Sequence, residues 1–151
     1  QNDVSYANAS DFVQSYPRFE DACVYMDPAW PWNTPATVNP YFVSSVIIPC
    51  ILKQSWAPED LQVLHPWEFG GRERIFADLF KWVNTPLEKG ALRVITNTQS
   101  TNYPDPLTDV EPFLKEHFKF MGYLEWKAFS SLATKSENAF KEFAWILQRR
   151  D

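Results

Sequence analysis

Apolar residues recur along this chain at two spacings, and each spacing marks out elements. Ile75, Phe76, Leu79, Phe80 and Val83 share one side of a 3.6-residue repeat, which predicts an amphipathic helix over 72–83. Asn84-Thr85-Pro86 is expected to end or interrupt it, because the residue before a proline is pushed out of the helical region. Residues 91–98, with Val94 and Ile95, read as a strand that turns polar towards its end. Thr108-Asp109-Val110-Glu111 has capping-box spacing. A helix is therefore expected over 109–121, with Phe113, His117 and Phe120 on one face and Gly122 as its stop. Leu124, Trp126, Ala128 and Ser130 alternate, which predicts a second strand over 123–133. Ser136 is placed to cap a last helix over 137–149, with Phe140, Phe143, Ala144 and Leu147 as its buried stripe and a basic end that suits the helix dipole.

The first half is punctuated by proline. Residues 28–40 hold four prolines, which exclude a regular helix and a central strand. An ordered extended loop is expected there, pinned or decorated by Trp30 and Trp32. Asn39-Pro40 suits a helix start, and Val43, Ile47 and Ile51 follow at four-residue spacing. Pro49 should kink or end that helix. The density of β-branched residues leaves helix and strand both open over 40–56. Pro58-Glu59-Asp60 opens a short helix through Leu64, and Gly70-Gly71 precedes the 72–83 helix. The order of elements predicts a single helix-rich α+β domain over residues 1–151. Its small β-sheet has strands near 91–98 and 123–133, lying side by side under helices.

Composition agrees with one packed domain. Of 151 residues, 45% are hydrophobic and 17% aromatic. That supplies a sizeable core without metal or disulfide staples. The formal net charge of −5 argues against a phosphate-rich partner, since non-specific nucleic-acid affinity comes from Lys and Arg clusters. A nuclease or RNA-binding reading would require His65 and His117 to converge in a basic cleft. No run of about eighteen apolar residues exists, so no membrane-spanning helix is expected. Cys23 and Cys50 suffice for one disulfide, which is the expectation here. That pair, the Asn8-Ala9-Ser10 glycosylation triplet and a first residue other than Met together lean towards an extracellular setting.

Candidate chemistry is sparse. No glycine-rich phosphate loop, nucleophile elbow or zinc-protease motif is present. The cysteines and histidines are too far apart in sequence to predict a metal site, and no cofactor is called for. His65 and His117 are acid/base candidates by type. His65 lies in a broken loop beside Trp67, whereas His117 sits on a helix face between phenylalanines. Asp105 pairs with Asp109 across Pro106-Leu107-Thr108, although a turn and a helix start already explain both. Trp30, Trp32, Trp67 and Arg72 are candidate binding residues, set in or beside loops. Indoles of this kind either anchor loops on the core or stand out as an interaction platform.

The run His65-Pro66-Trp67-Glu68-Phe69-Gly70-Gly71-Arg72-Glu73-Arg74-Ile75-Phe76 resembles polyketide-cyclase-like (NTF2-like) domains. In those domains a His-Pro strand passes through a Gly-Arg turn into a helix. The resemblance implies a cone-shaped α+β fold whose curved sheet encloses an apolar pocket. The family continues with long strands and usually ends in one, whereas a terminal helix is expected here.

Two functional expectations follow. The first is a non-catalytic domain that binds another protein through exposed aromatic residues. The alternative is a binder of a small apolar ligand, or a cofactor-free enzyme, with polar groups from His65, His117, Arg72 and Tyr103 in an apolar pocket.

Overall fold

A computed structural model describes residues 8–31, 48–54, 67, 70–129 and 139–151. Trp32, His65, Ser136, the 58–64 helix and most of 28–40 and 40–56 lie outside these residues. The described part is an α+β domain: helices α1 (Ala9–Ser15), α2 (Ile48–Lys53), α3 (Gly71–Glu88) and α4 (Glu111–His117), with a four-stranded mixed sheet. Its strands are β1 (Cys23–Met26), β2 (Arg93–Gln99), β3 (Lys119–Phe129) and β4 (Ala139–Gln148), in the order β1-β2-β4-β3. β1 runs parallel to β2, and the other two pairings are antiparallel.

The largest correction is at the chain end. The stripe Phe140, Phe143, Ala144, Leu147 fits a helical repeat, yet residues 139–148 form β4. The same segment satisfies period two: Phe143, Trp145 and Leu147 on one face, Phe140, Glu142, Ala144 and Ile146 on the other. β4 enters between β2 and β3, so the two predicted strands are not neighbours. It carries both ladders, Val94↔Leu147 to Gln99↔Glu142 on one side and Lys119↔Gln148 to Phe129↔Ala139 on the other. A helix there would leave both neighbours without these backbone partners.

Three other boundaries differ. α3 runs through Asn84-Thr85-Pro86 to Glu88. Pro86 falls in the last turn, where helix end and turn close around it through Lys89 N–H to Thr85 O and Ala91 N–H to Pro86 O, both 3.0 Å. Gly90 follows at φ +97°, and a Cβ there would come within 3.0 Å of Glu20 Cγ. The expected 109–121 helix is shorter: a wide π-type turn, Pro106–Val110, leads into α4, and the chain turns extended at Phe118. α1 and β1 were not expected. α1 is closed at both ends by side chains. Asn8 Oδ1 accepts from Ser10 N–H at 2.9 Å, and Lys89 Nζ donates to the carbonyls of Val13 and Tyr16 at 2.9 and 2.8 Å. α2 places residues 48–53 on the helical side of the open helix-or-strand question.

The core lies between α3 and one face of the sheet. Ile75, Leu79 and Val83 of α3 are wholly buried against Val94 of β2 and Phe143, Trp145 and Leu147 of β4, with Val110 and Leu114 closing one end. Beside it the tryptophans pack on one another. Trp67 stacks on Trp82 and meets Trp30 edge-on, each pair at 4.9 Å between centroids. All three indole N–H groups are used: Trp30 donates to Asn97 O (2.8 Å), Trp67 to Asp78 Oδ2 (3.0 Å) and Trp82 to Ser10 Oγ (2.8 Å). Asn8 and Ser10 of the glycosylation triplet thus serve a helix cap and an indole. The expected Cys23–Cys50 disulfide is absent: both thiols are free, Cys23 exposed and Cys50 buried.

Asp78 is the anchor of that cluster, because its Oδ2 also accepts from Arg74 Nε at 2.9 Å. Asp78→Ala leaves the buried Trp67 N–H without its acceptor and is expected to cost about 1–3 kcal/mol. Urea unfolding checks this. Asp78→Asn, which keeps an acceptor, is expected to lose less.

Candidate functional site

The sequence candidates among the described residues gather in two places: Trp30 packs on Trp67, and Arg72 meets Asp109 beside Asp105. Trp30 and Trp67 are buried, 6% exposed each, so they are the loop anchors and not an external platform. Arg72 Nη1 is 3.0 Å from Asp109 Oδ1, and its guanidinium lies over the Phe76 ring. It ties the first turn of α3 to the turn before α4. His117 sits at the end of α4 with its ring against Phe113 and Phe80, centroids 4.6 and 5.3 Å away. Asp105 is the cap of the Pro106–Val110 turn, in the place expected of Thr108. Its Oδ1 accepts from Leu107 and Thr108 N–H at 3.0 and 2.9 Å, and its own N–H donates to Asp109 Oδ2. These bonds, the one from Thr108 foremost, hold its carboxyl below the usual range. Among the described residues no group of three His, Cys, Asp or Glu side chains gathers as a metal site. No helix among them is long and apolar enough to cross a membrane.

The chemistry that is gathered lies on the outer face of the sheet, opposite α3. Register places its side chains in rows. Tyr25, Ile95 and Ile146 form one row. Asn97, Ala144 and Leu124 form the next, then Gln99, Glu142 and Trp126, then Phe140 and Ala128. The centre is polar and interlinked. Asn97 Nδ2 donates to Asp27 Oδ1 and Gln99 Nε2 to Glu142 Oε1, each at 3.3 Å. The Tyr25 phenol sits beside them, its pKa raised by partial desolvation and then by the carboxylates of Asp27 and Glu142.

The flanks are apolar and open to solvent. Tyr25 and Leu124 are each 61% exposed and Trp126 41%. The alternation of Leu124, Trp126 and Ala128 was legible in the sequence. What it marks is the solvated face of an antiparallel sheet, not the core. Phe140, read as part of a helical core stripe, joins the same face. Tyr25, Asp27, Asn97 and Glu142 carried no motif, and only the strand pairing brings them together.

The β3–β4 hairpin outruns the sheet. β2 pairs with β4 only as far as Gln99↔Glu142, whereas β3 and β4 continue to Phe129↔Ala139. On the inner side of this arm Lys141 Nζ meets Glu125 Oε1 at 2.8 Å, and that contact raises the lysine's pKa. Glu125, Trp126, Lys127, Phe140 and Lys141 line an open depression on it.

No protein-family model matches the chain, and no curated protein matches it.

The cap gives a pH test. The lowered pKa of Asp105 means that its contribution to stability is present above the unfolded-state value and fades as pH falls through the folded-state value. Asp105→Ala is expected to cost about 1 kcal/mol at neutral pH. The gap from the wild type should narrow as pH falls through the acid range and close once the carboxyl is protonated in both folded and unfolded states, read by pH-dependent thermal unfolding.

Proposed function

We propose that this is a non-catalytic protein-interaction domain that binds its partner on the outer face of the sheet. The observation that carries the reading is the composition of that face. A solvent-exposed strip, Leu124 and Trp126 with Phe140 beside them, borders a hydrogen-bonded acidic centre of Asp27 and Glu142. Exposed large apolar side chains gathered on one rigid face mark a binding surface more often than a scatter of them does. Indole and phenol rings supply contact area at low entropic cost. The partner that fits offers apolar side chains to Trp126 and Leu124 and a Lys or Arg to the carboxylates, which also makes the contact salt-sensitive. The exposed tryptophan in this reading is Trp126, in place of Trp30 and Trp67.

Trp126→Ser and Leu124→Ser are the direct test. Each replaces an exposed side chain, so the melting temperature should stay near that of the wild type. A captured partner should lose about 2 kcal/mol on Trp126→Ser, or roughly thirtyfold in Kd. Glu116→Gln, at an exposed position of α4, should leave binding alone. A partner whose affinity ignores both outer-face changes retires the reading.

The small-molecule reading keeps one observation of its own. Thr96 Oγ1 and Trp145 Nε1 belong to cross-strand neighbours on the inner face, are buried, and have no hydrogen-bond partner among the described residues. Buried polar atoms of this kind are usually satisfied. A small apolar ligand with one hydrogen-bonding group would satisfy them. The Trp145 indole N–H resonance is the reporter: it should shift on addition of such a ligand, and a resonance unmoved across a fragment panel removes this reading.

A further inference from the structure

We propose that a second copy of this chain docks edge-to-edge on β3. The two β3 strands run antiparallel, with a two-fold axis at Trp126. β3 is the last strand of the sheet and pairs with β4 alone among the described residues. An edge of this kind presents unpaired N–H and C=O groups to solvent, and proteins either blunt such edges or use them.

The two halves of β3 are treated differently. The half nearest α4 carries a bulge between Phe120 and Gly122, a device that discourages pairing. The far half has no bulge, and its sequence is chemically palindromic about Trp126. Leu124-Glu125-Trp126-Lys127-Ala128 reads apolar, acidic, aromatic, basic, apolar. An antiparallel pairing centred on Trp126 sets Glu125 of each copy opposite Lys127 of the other, and Leu124 opposite Ala128. Centring on Glu125 would oppose two glutamates, and centring on Lys127 two lysines. Opposite charges directly across a ladder stabilise it and like charges do the reverse. Charge therefore selects the central register of the three.

Two features of the arm agree. Lys127 already stands directly opposite Lys141 within the chain, while Glu125 bridges to Lys141. A second copy places one more carboxylate beside this lysine pair, giving each glutamate a lysine on either side. Beyond Trp126, moreover, Ser100 still exchanges bonds with Lys141: its N–H donates to Lys141 O at 2.8 Å and its Oγ accepts from Lys141 N–H at 3.0 Å. Past that pair β3 and β4 form a two-stranded ribbon among the described residues. Such ribbons are marginal in water and gain stability from a third strand. The dimer makes the arm part of a continuous eight-stranded sheet, twice the four strands of one copy.

Sedimentation equilibrium of the wild type, Lys127→Glu and the swap Glu125→Lys/Lys127→Glu tests this. The wild type should dimerise. Lys127→Glu gives Lys141 an opposite charge within the chain, so the fold should hold. Across the seam it opposes glutamate to glutamate twice, and dimerisation should weaken about tenfold or more. The swap restores opposite charges at both positions and should restore the dimer. Lys127→Gln serves as a milder variant, with a smaller loss, should Lys127→Glu unfold. A wild type that is monomeric into the millimolar range overturns the proposal. So does a folded Lys127→Glu protein with wild-type affinity, or a folded swap that stays monomeric. Glu125 and Lys127 lie on the inner side of β3. Partner capture through Trp126 on the outer side is therefore scored separately from self-association.

Discussion

The contact on which the rest depends is the packing of α3 against β4. Ile75, Leu79 and Val83 meet Phe143, Trp145 and Leu147, and all are essentially removed from water. Side chains alternate along a strand. Fixing residues 143, 145 and 147 inward therefore fixes 140, 142, 144 and 146 outward. Because β4 is the shared strand of two ladders, that choice propagates to β2 and β3. A slip of one residue would exchange the faces and bury Glu142 against α3. The outer surface is thus a consequence of core packing, although its side chains point away from α3.

Much of this was legible in the sequence, and the failures have identifiable causes. α3, β2 and much of β3 follow from periodicity, because each has one clear repeat. The end of the chain does not. Residues 140, 143, 144 and 147 suit a helix, and residues 143, 145 and 147 suit a strand. Nothing local decides between them; the ladders to β2 and β3 do, and those are long-range. β1 is four residues with an unremarkable pattern, held by parallel pairing to a strand some seventy positions away, Cys23↔Arg93 to Met26↔Thr96. Pro86 read as a stop because the rule concerns helix interiors, whereas here it occupies a closing turn.

Tryptophan shows the same division. Loop position left Trp30 and Trp67 open to either burial or display, and both are buried and hydrogen-bonded. An indole in a loop is a good anchor because it buries a large area and still satisfies its one donor. Trp30 also holds Asn97 O, just past the end of β1, continuing that strand's edge by a side-chain bond. Trp126 lies in a regular strand, the setting where burial is the default assumption, and is 41% exposed. Exposure here follows local cover and not the type of element: on the same outer face Asn97 is 6% and Ala144 5% exposed.

The hairpin arm joins these strands of argument. A sheet covered by helices on one side leaves the other to solvent, and an antiparallel sheet tolerates that when its outer residues are polar. This one is polar over Asn97, Gln99 and Glu142 but apolar over Leu124, Trp126 and Phe140. The apolar share lies towards the β3 edge, where Leu124 and Trp126 stand in the same rows as Asn97 and Gln99 of β2. Folding alone gives no reason to place an exposed indole at the edge of the sheet. Binding does. An edge that gains a strand and a face that gains a partner would stabilise the same residues, and ordering the arm through its edge would set Trp126 and Leu124 in a fixed geometry before a partner arrives on the face.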